Sequence, residues 1–408
     1  MEKVLNNSPA WVRAALVCVA SVALIYAVFA VGVANITESS APNIALRFQP
    51  MHAKALGNAA YAALAENNGD PSSRAVDLAK RAIARDPTSV AAARTLGLVA
   101  ASRNEVSAAR SLMNYSSALS RRDLTTHLWM IEDYVAQDDL NNALAHYDMA
   151  LRTSRLAAPI LLPILVSATA DDRIIKPLES VLAGKPSWGN AFLQELIASG
   201  PSIDNVARLA IDLSNRGAPL DIYERLRLTN RLIAEKRFYE AAMLMGRDRR
   251  GPSVLSPDFQ ETNGIGPFFW ALKSNYDFGA EHGLKAGSND DFVLSVFASH
   301  ERGGEVARQL LLLGPGQYRL HSRATGIALP GNNLPYWRVA CAGKARNSAD
   351  LLRLELSYSA QSGAVDEFVV PSGDCEAQWL VLMLPAPANR EGLKAEVQEV
   401  DISAISIN

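Results

Sequence analysis

From Leu124 to Arg155 the chain reads LTTHLWMIEDYVAQDDLNNALAHYDMALRTSR, two amphipathic helices joined by a polar turn at Gln137-Asp138-Asp139. The first helix presents Leu128, Ile131, Tyr134 and Val135 along one face. The second presents Leu140, Ala143, Leu144, Tyr147, Ala150 and Leu151 at three- and four-residue spacing. Ala143 and Ala150 are small where two helices must approach closely, and Tyr147 fills the space between them. A hairpin this short cannot bury such a stripe against itself, so its neighbours must be units of the same kind, stacked.

A stack predicts a fixed period. A step of 34 residues leads from Ala143 to Ala109 and Ala75, from Ala150 to Ser116 and Ala82, and from Ile131 to Gly97 and Ala63. The same step takes Tyr147 to Met113 and Ala79, and Arg155 to Arg121 and Pro87. This recurrence resembles the tetratricopeptide repeat (TPR), a helix-turn-helix unit of that length with small residues at fixed register points. Leu96-Gly97, Ala109 and Asp86-Pro87 fit the pattern best. Trp129 departs from it, lying two places from the family's usual tryptophan, and only the first unit ends in proline. The resemblance implies three repeats over 56–157, packed through Ala63, Ala75, Ala82, Pro87, Gly97, Ala109, Ser116, Ala143, Tyr147 and Ala150. It also implies a groove for a protein segment, with His127, Trp129, Glu132 and Asp133 as candidate partner contacts in the third unit. A helical bundle without repeats is the alternative.

Ahead of the repeats, Ala14 to Val33 carries no charge and as a helix is long enough to cross a bilayer. Lys3 and Arg13 precede it and Glu38 is the first charge after it, so a single-pass anchor leaves the amino terminus in the cytoplasm and the bulk outside. A cleaved signal peptide, with Gly32-Val33-Ala34 as its cleavage site, is the other reading. On these signals 1–34 is a cytoplasmic stub and anchor, and 35–55 a polar tether.

After Arg155 the clean period stops. Pro159 and Pro163 are expected to start a helix rather than sit inside one. Further helices are expected at Arg173–Leu182, Trp188–Ser199, Ile203–Arg216 and Leu220–Ala234, with Gly184, Gly200 and Gly217 as left-handed caps. A hairpin over Tyr223–Met245 turns at Lys236-Arg237. The segment 158–246 reads as degenerate repeats or as a separate helical cap, and 247–263, with Arg247, Arg249 and Arg250, as an exposed linker.

From Gly264 to Asn408 the period becomes two. Strands are expected at Phe292–Ala298, Val306–Leu313, Gly316–Ala324, Trp337–Cys341, Leu352–Tyr358, Val365–Val370, Gln378–Leu384 and Ala395–Ile402, an antiparallel β-sandwich. The Leu313–Tyr318 turn resembles those of jelly-roll modules. The fold class is therefore α + β multidomain: a transmembrane helix, a TPR-like α-solenoid and a C-terminal antiparallel β-sandwich. Cys341 and Cys375, in a non-cytoplasmic domain, form a disulfide or remain two core thiols. Trp270, Trp337, Trp379, Tyr276, Tyr336 and Tyr358 are core or rim residues, or else a sugar-stacking platform. Glu301, Arg302, Asp366 and Glu367 read as solvated.

A net charge of -2 supplies no basic field for nucleic acid. No phosphate loop, nucleophile elbow or zinc-ligand spacing is present, His300 and His321 included, so neither catalysis nor a metal or cofactor is expected. The order anchor, repeats, sandwich resembles envelope proteins of Gram-negative bacteria that assist polysaccharide or protein export. That resemblance implies an inner-membrane scaffold, largely periplasmic, which holds envelope proteins in its repeat groove. The alternative is a carbohydrate-binding protein that uses the sandwich on a polysaccharide.

Overall fold

The computed structural model describes residues 10–66, 72–247, 253–260, 264–285, 287–326, 334–343, 349–356 and 363–405. Among them are fourteen helices followed by ten strands, and the chain divides into two compact units, Met1–Phe192 and Leu193–Asn408. Lys3, Arg249, Arg250 and Tyr358 lie outside the described residues.

In the first unit, α1 (Ala10–Thr37) is long and apolar enough to cross a membrane, and Leu16, Leu24, Ile25 and Phe29 stand exposed along it. The stretch read as a tether is instead folded. It contains the end of α1 and a short helix, α2 (Pro42–Phe48), followed by α3 (Ala53–Glu66). Ala34, Ala45 and Ala55 are fully buried together, small enough for three helix backbones to meet. Phe48 sets its ring edge-on to Phe29, with centroids 5.8 Å apart. On α3, Lys54 lies 3.4 Å from the Glu38 carboxylate and Asn58 donates to the Glu38 carbonyl at 2.8 Å.

Three hairpins follow: α3 with α4 (Ser73–Arg85), α5 (Val90–Ser102) with α6 (Val106–Leu119), and α7 (Leu124–Ala136) with α8 (Leu140–Thr153). Helices α5 and α7 start 34 residues apart, as do α6 and α8. The turn residues Asn104 and Asp138 share that spacing and the left-handed conformation, at φ 59° and 60°. Ala75, Ala82, Ala109, Ser116 and Ala150 have no exposed surface, and Ala63, Ala143 and Tyr147 almost none. Gly97 is buried where a Cβ would stand 3.1 Å from the Met113 side chain. Pro87 sits exposed in a turn, its carbonyl accepting from the Tyr115 hydroxyl at 2.7 Å. On the inner face of α7 Ile131 is buried as expected, but Val135 is exposed, and Thr126, His127 and Met130 are buried beside Ile131.

Contrary to expectation, Pro163 lies inside α9 (Ala158–Ala168), and Pro177 inside α10 (Asp172–Ala183). Pro163 and Pro159, whose carbonyl loses its helical partner, are both exposed, so water can serve that carbonyl. Helix α11 (Gly189–Ser199) spans the boundary between the units. Of the three expected left-handed glycines only Gly217 has positive φ; near Gly184 that role falls to Lys185. Gly200 answers to space instead, since a Cβ there would meet the Leu196 carbonyl oxygen at 2.6 Å.

The second unit holds α12 (Ile203–Asn215), α13 (Ile222–Ala234), α14 (Phe238–Leu244) and the sandwich. From α13, Arg231 donates to the carbonyls of Ile197 at 3.0 Å and Gly200 at 2.6 Å, serving the carbonyl end of α11. The strands are β1 (Ala271–Leu272), β2 (Phe278–Leu284), β3 (Phe292–Ala298), β4 (Gly304–Leu311), β5 (Gly316–Thr325), β6 (Tyr336–Cys341), β7 (Leu352–Glu355), β8 (Ala364–Val370), β9 (Gln378–Leu384) and β10 (Leu393–Ala404). They form two antiparallel sheets, β1-β4-β9-β6-β7 and β2-β3-β10-β5-β8. Trp270 and Trp337 are core residues, and the indole of Trp337 donates to the Ser322 hydroxyl at 2.9 Å. The core begins before Gly264: Val254 and Phe259 belong to it, and the Gln309 amide bonds both the N–H and the carbonyl of Leu255. Cys341 and Cys375 are joined in a disulfide.

Candidate functional site

The candidate partner contacts on α7 separate into two kinds. His127 has no exposed surface, and its Nδ1 lies 2.9 Å from Nδ1 of His146. Its Nε2 lies 3.0 Å from the Arg121 carbonyl oxygen, which can only accept. The proton of His127 therefore sits on Nε2, and Nδ1 accepts from His146. Burial, and then the neighbouring His127, hold His146 down to about 4. His127 is thus a core histidine with nothing to offer a partner. Asp133 is engaged by Arg110 through two hydrogen bonds, at 2.8 and 3.0 Å. Trp129 is half-buried and Glu132 exposed, so these two remain on the surface.

A second arrangement lies on the sandwich. Along β3, Val296 points into the core, so Ser295 and Phe297 must face outward. Pairing sets Glu281, Ser295, Glu396 and Thr325 in one outward row across β2, β3, β10 and β5. Phe297 and Lys394 are partners in the next row. Together with Gly326 these residues line a hollow of about 600 Å³. Gly326 follows β5 with φ 79°, a conformation that favours glycine, and a Cβ there would touch the Ala395 backbone at 3.5 Å. A register shift between Val397 and Glu399 increases the twist of β10 beside it.

Glu281 and Glu396 stand two strands apart, about 10 Å by ordinary sheet spacing. Their oxygens accept, the Lys394 ammonium donates, and the Ser295 and Thr325 hydroxyls do both. Phe297 adds an apolar ring. The set suits a ligand carrying many hydroxyls on an apolar ring. None of these six side chains stood out in the sequence, because the row exists only once four strands are paired. The alternation in Phe292–Ala298 was the available signal.

The other proposed sites disperse. Trp379 and Tyr336 lie on the outer face of the opposite sheet, while Tyr276 is exposed by itself in the β1–β2 connection. Glu367 pairs with Arg319 at 2.7 Å, and Glu301, Arg302 and Asp366 are exposed. Among the described residues no group of three metal-ligating side chains forms.

No family model matches the chain, and no curated protein matches it. Solved structures overlap part of it. One is the enzymatically active domain of bacteriophage CBA120 tailspike protein 4, with TM-score 0.28 and 8% identity, over 39% of this chain and 22% of that one. Another is the CBM22-1–GH10 portion of Clostridium thermocellum endo-1,4-beta-D-xylanase 10B complexed with xylohexaose, with TM-score 0.28 and 12% identity, over 38% and 29%. A third is the CBM22-1 xylan-binding domain of Paenibacillus barcinonensis Xyn10C, with TM-score 0.25 and 10% identity, over 38% and 96%. The chain thus spans under a third of the first two structures. Overlaps at these TM-scores assign no ligand.

Proposed function

We propose that this chain is a membrane-anchored glycan-binding protein of a bacterial envelope, acting by binding and not by catalysis. The observation that carries the reading is the hollow on β2, β3, β10 and β5, where acceptors, donors and one aromatic ring converge. The test uses the full chain in nanodiscs against a panel of neutral polysaccharides. The wild type should be retained, and Phe297→Ala, which removes the apolar ring, or the pair Glu281→Gln and Glu396→Gln, which removes the charge from two acceptors, should weaken retention about tenfold or more. Wild-type protein that binds none of the panel, or variants retained as well as the wild type, would end this reading.

The second reading keeps the hairpins as a TPR-type scaffold for an envelope protein, and the surface positions of Trp129 and Glu132 favour it. Trp129→Ala should then lower recovery of the cross-linked partner without moving the melting temperature. Both readings take α1 as a retained inner-membrane anchor with the bulk periplasmic. Protease added to spheroplasts should therefore digest the body of the protein, and protection until lysis would reverse the topology.

A further inference from the structure

The outer face of sheet β1-β4-β9-β6-β7 carries a different chemistry. Pairing aligns Arg308, Val381, Arg338 and Arg353 in a line across β4, β9, β6 and β7. Arg338 and Arg353 are direct cross-strand partners, a like-charge pair that is unfavourable by itself. Two of the guanidiniums lie over aromatic rings: Arg353 is 3.9 Å from the Tyr336 centroid and Arg308 is 4.9 Å from that of Trp379. Such stacking holds a guanidinium in place while leaving its N–H edge free.

Those edges are poorly satisfied. Arg308 is 3.6 Å from Glu305, Arg338 is 3.7 Å from Asp350 and Arg353 is 3.4 Å from Glu355. Charge-assisted bonds between such groups normally close to about 2.7–2.9 Å. On the opposite face of the same sandwich they do close, at 2.7 Å for Arg319–Glu367 and 2.5 Å for Arg323–Glu399. Glu305 is drawn away by Lys273 at 2.7 Å, and the buried Nε of Arg338 has no hydrogen-bond partner among the described residues. The side chains of the three arginines remain 43%, 33% and 51% exposed, so a ligand can reach them.

We propose that this line of arginines binds an acidic linear polysaccharide through its carboxylates. A single small anion would need donors converging on one point, whereas these lie in a row. At about 4.8 Å between strands, Arg338 and Arg353 are one step apart and Arg308 is two steps further. A chain of sugar acids laid across the strands meets donors repeated along its length. A guanidinium fork matches a planar carboxylate with two parallel bonds, and the edges of Tyr336 and Trp379 border the sugar rings. The interspersed carboxylates of Glu305, Asp350 and Glu355 offset the charge of the three arginines, so the face offers local forks for planar carboxylates and not the broad basic field that a phosphodiester chain or an anionic bilayer needs. The site is separate from the hollow and does not depend on it.

The probe is polygalacturonate, compared with the same polymer fully methyl-esterified, added to the full chain in zwitterionic nanodiscs. The free acid should bind and the ester should not, with affinity falling as salt rises. The triple variant Arg308→Gln, Arg338→Gln, Arg353→Gln should lose at least about tenfold in affinity, and Arg353→Gln alone a smaller factor. An unchanged melting temperature for the single variant keeps the test independent of folding. Arg319→Gln, on the opposite sheet, should leave polygalacturonate binding intact, which separates this site from a general loss of positive charge. Equal binding of acid and ester, a triple variant that binds like the wild type, or no binding of polygalacturonate by the wild type would each overturn the proposal. So would arginine-dependent binding of DNA or phosphatidylglycerol vesicles in preference to the polymer.

Discussion

Reduction of the Cys341–Cys375 bond in the full chain is expected to lower the stability of the sandwich by roughly 3–4 kcal/mol, from the loop-entropy relation applied to its sequence separation of 34. Cys341 ends β6, and Cys375 lies just ahead of β9, the strand beside β6 in the sheet. Both residues are buried in the core, so two thiols would occupy nearly the volume of the bridge and leave no cavity. The loss should therefore act through the unfolded chain, which regains the freedom of the closed loop. Urea unfolding followed by tryptophan fluorescence, with and without reductant, measures it. Midpoints that coincide would show that the bridge contributes no stability.

Acid is expected to weaken the third hairpin through His146. Its pKa in the folded protein is held down to about 4, below the unfolded value of 6.5. Across that window the unfolded chain binds a proton that the folded chain refuses, so stability falls as pH drops from about 6.5 towards 4. The span corresponds to roughly 3 kcal/mol, and the imidazole is only 8% exposed, so solvent screens little of it. Hydrogen bonds from the side chains of Thr88, Asn142 and Arg173 hold Asp86, Asp139 and Asp171 below the usual carboxylate value. Their stabilisation is lost only at still lower pH, so the two windows separate. His146→Phe should flatten the upper one. A wild-type stability that is level from pH 6.5 to 4, or a variant with the same slope, would contradict this account.

The hairpins were legible because helical periodicity and a longer repeat reinforced each other, as the matched turns at Asn104 and Asp138 illustrate. Helix α2 leaves no periodic signature in the sequence because it is short and buries only Ala45. The inner face of α7 departs from an apolar pattern because it includes His127 and Thr126, which are polar. They are tolerated there through bonds to His146, Arg121 and Ser116. Strand β2 was hidden by Gly279, Gly283 and His282, which interrupt its alternation. Phe259 stood alone in a polar stretch, with nothing periodic to mark it as core. Neither the row through Glu281, Ser295, Glu396 and Thr325 nor the line of arginines could be read in advance. Each is a product of lateral register between strands far apart in the chain.

The alanine contact at Ala34, Ala45 and Ala55 has a mechanical consequence. It leaves no slack segment between the apolar helix and the first hairpin, since α2 fills the interval and Glu38 is bound from α3. On the proposal that α1 is retained as a membrane anchor, it would tilt when the hydrocarbon layer thins or thickens. The first hairpin, tied to it by this alanine contact, would then turn with it, so that membrane thickness would set the direction in which the hairpin faces.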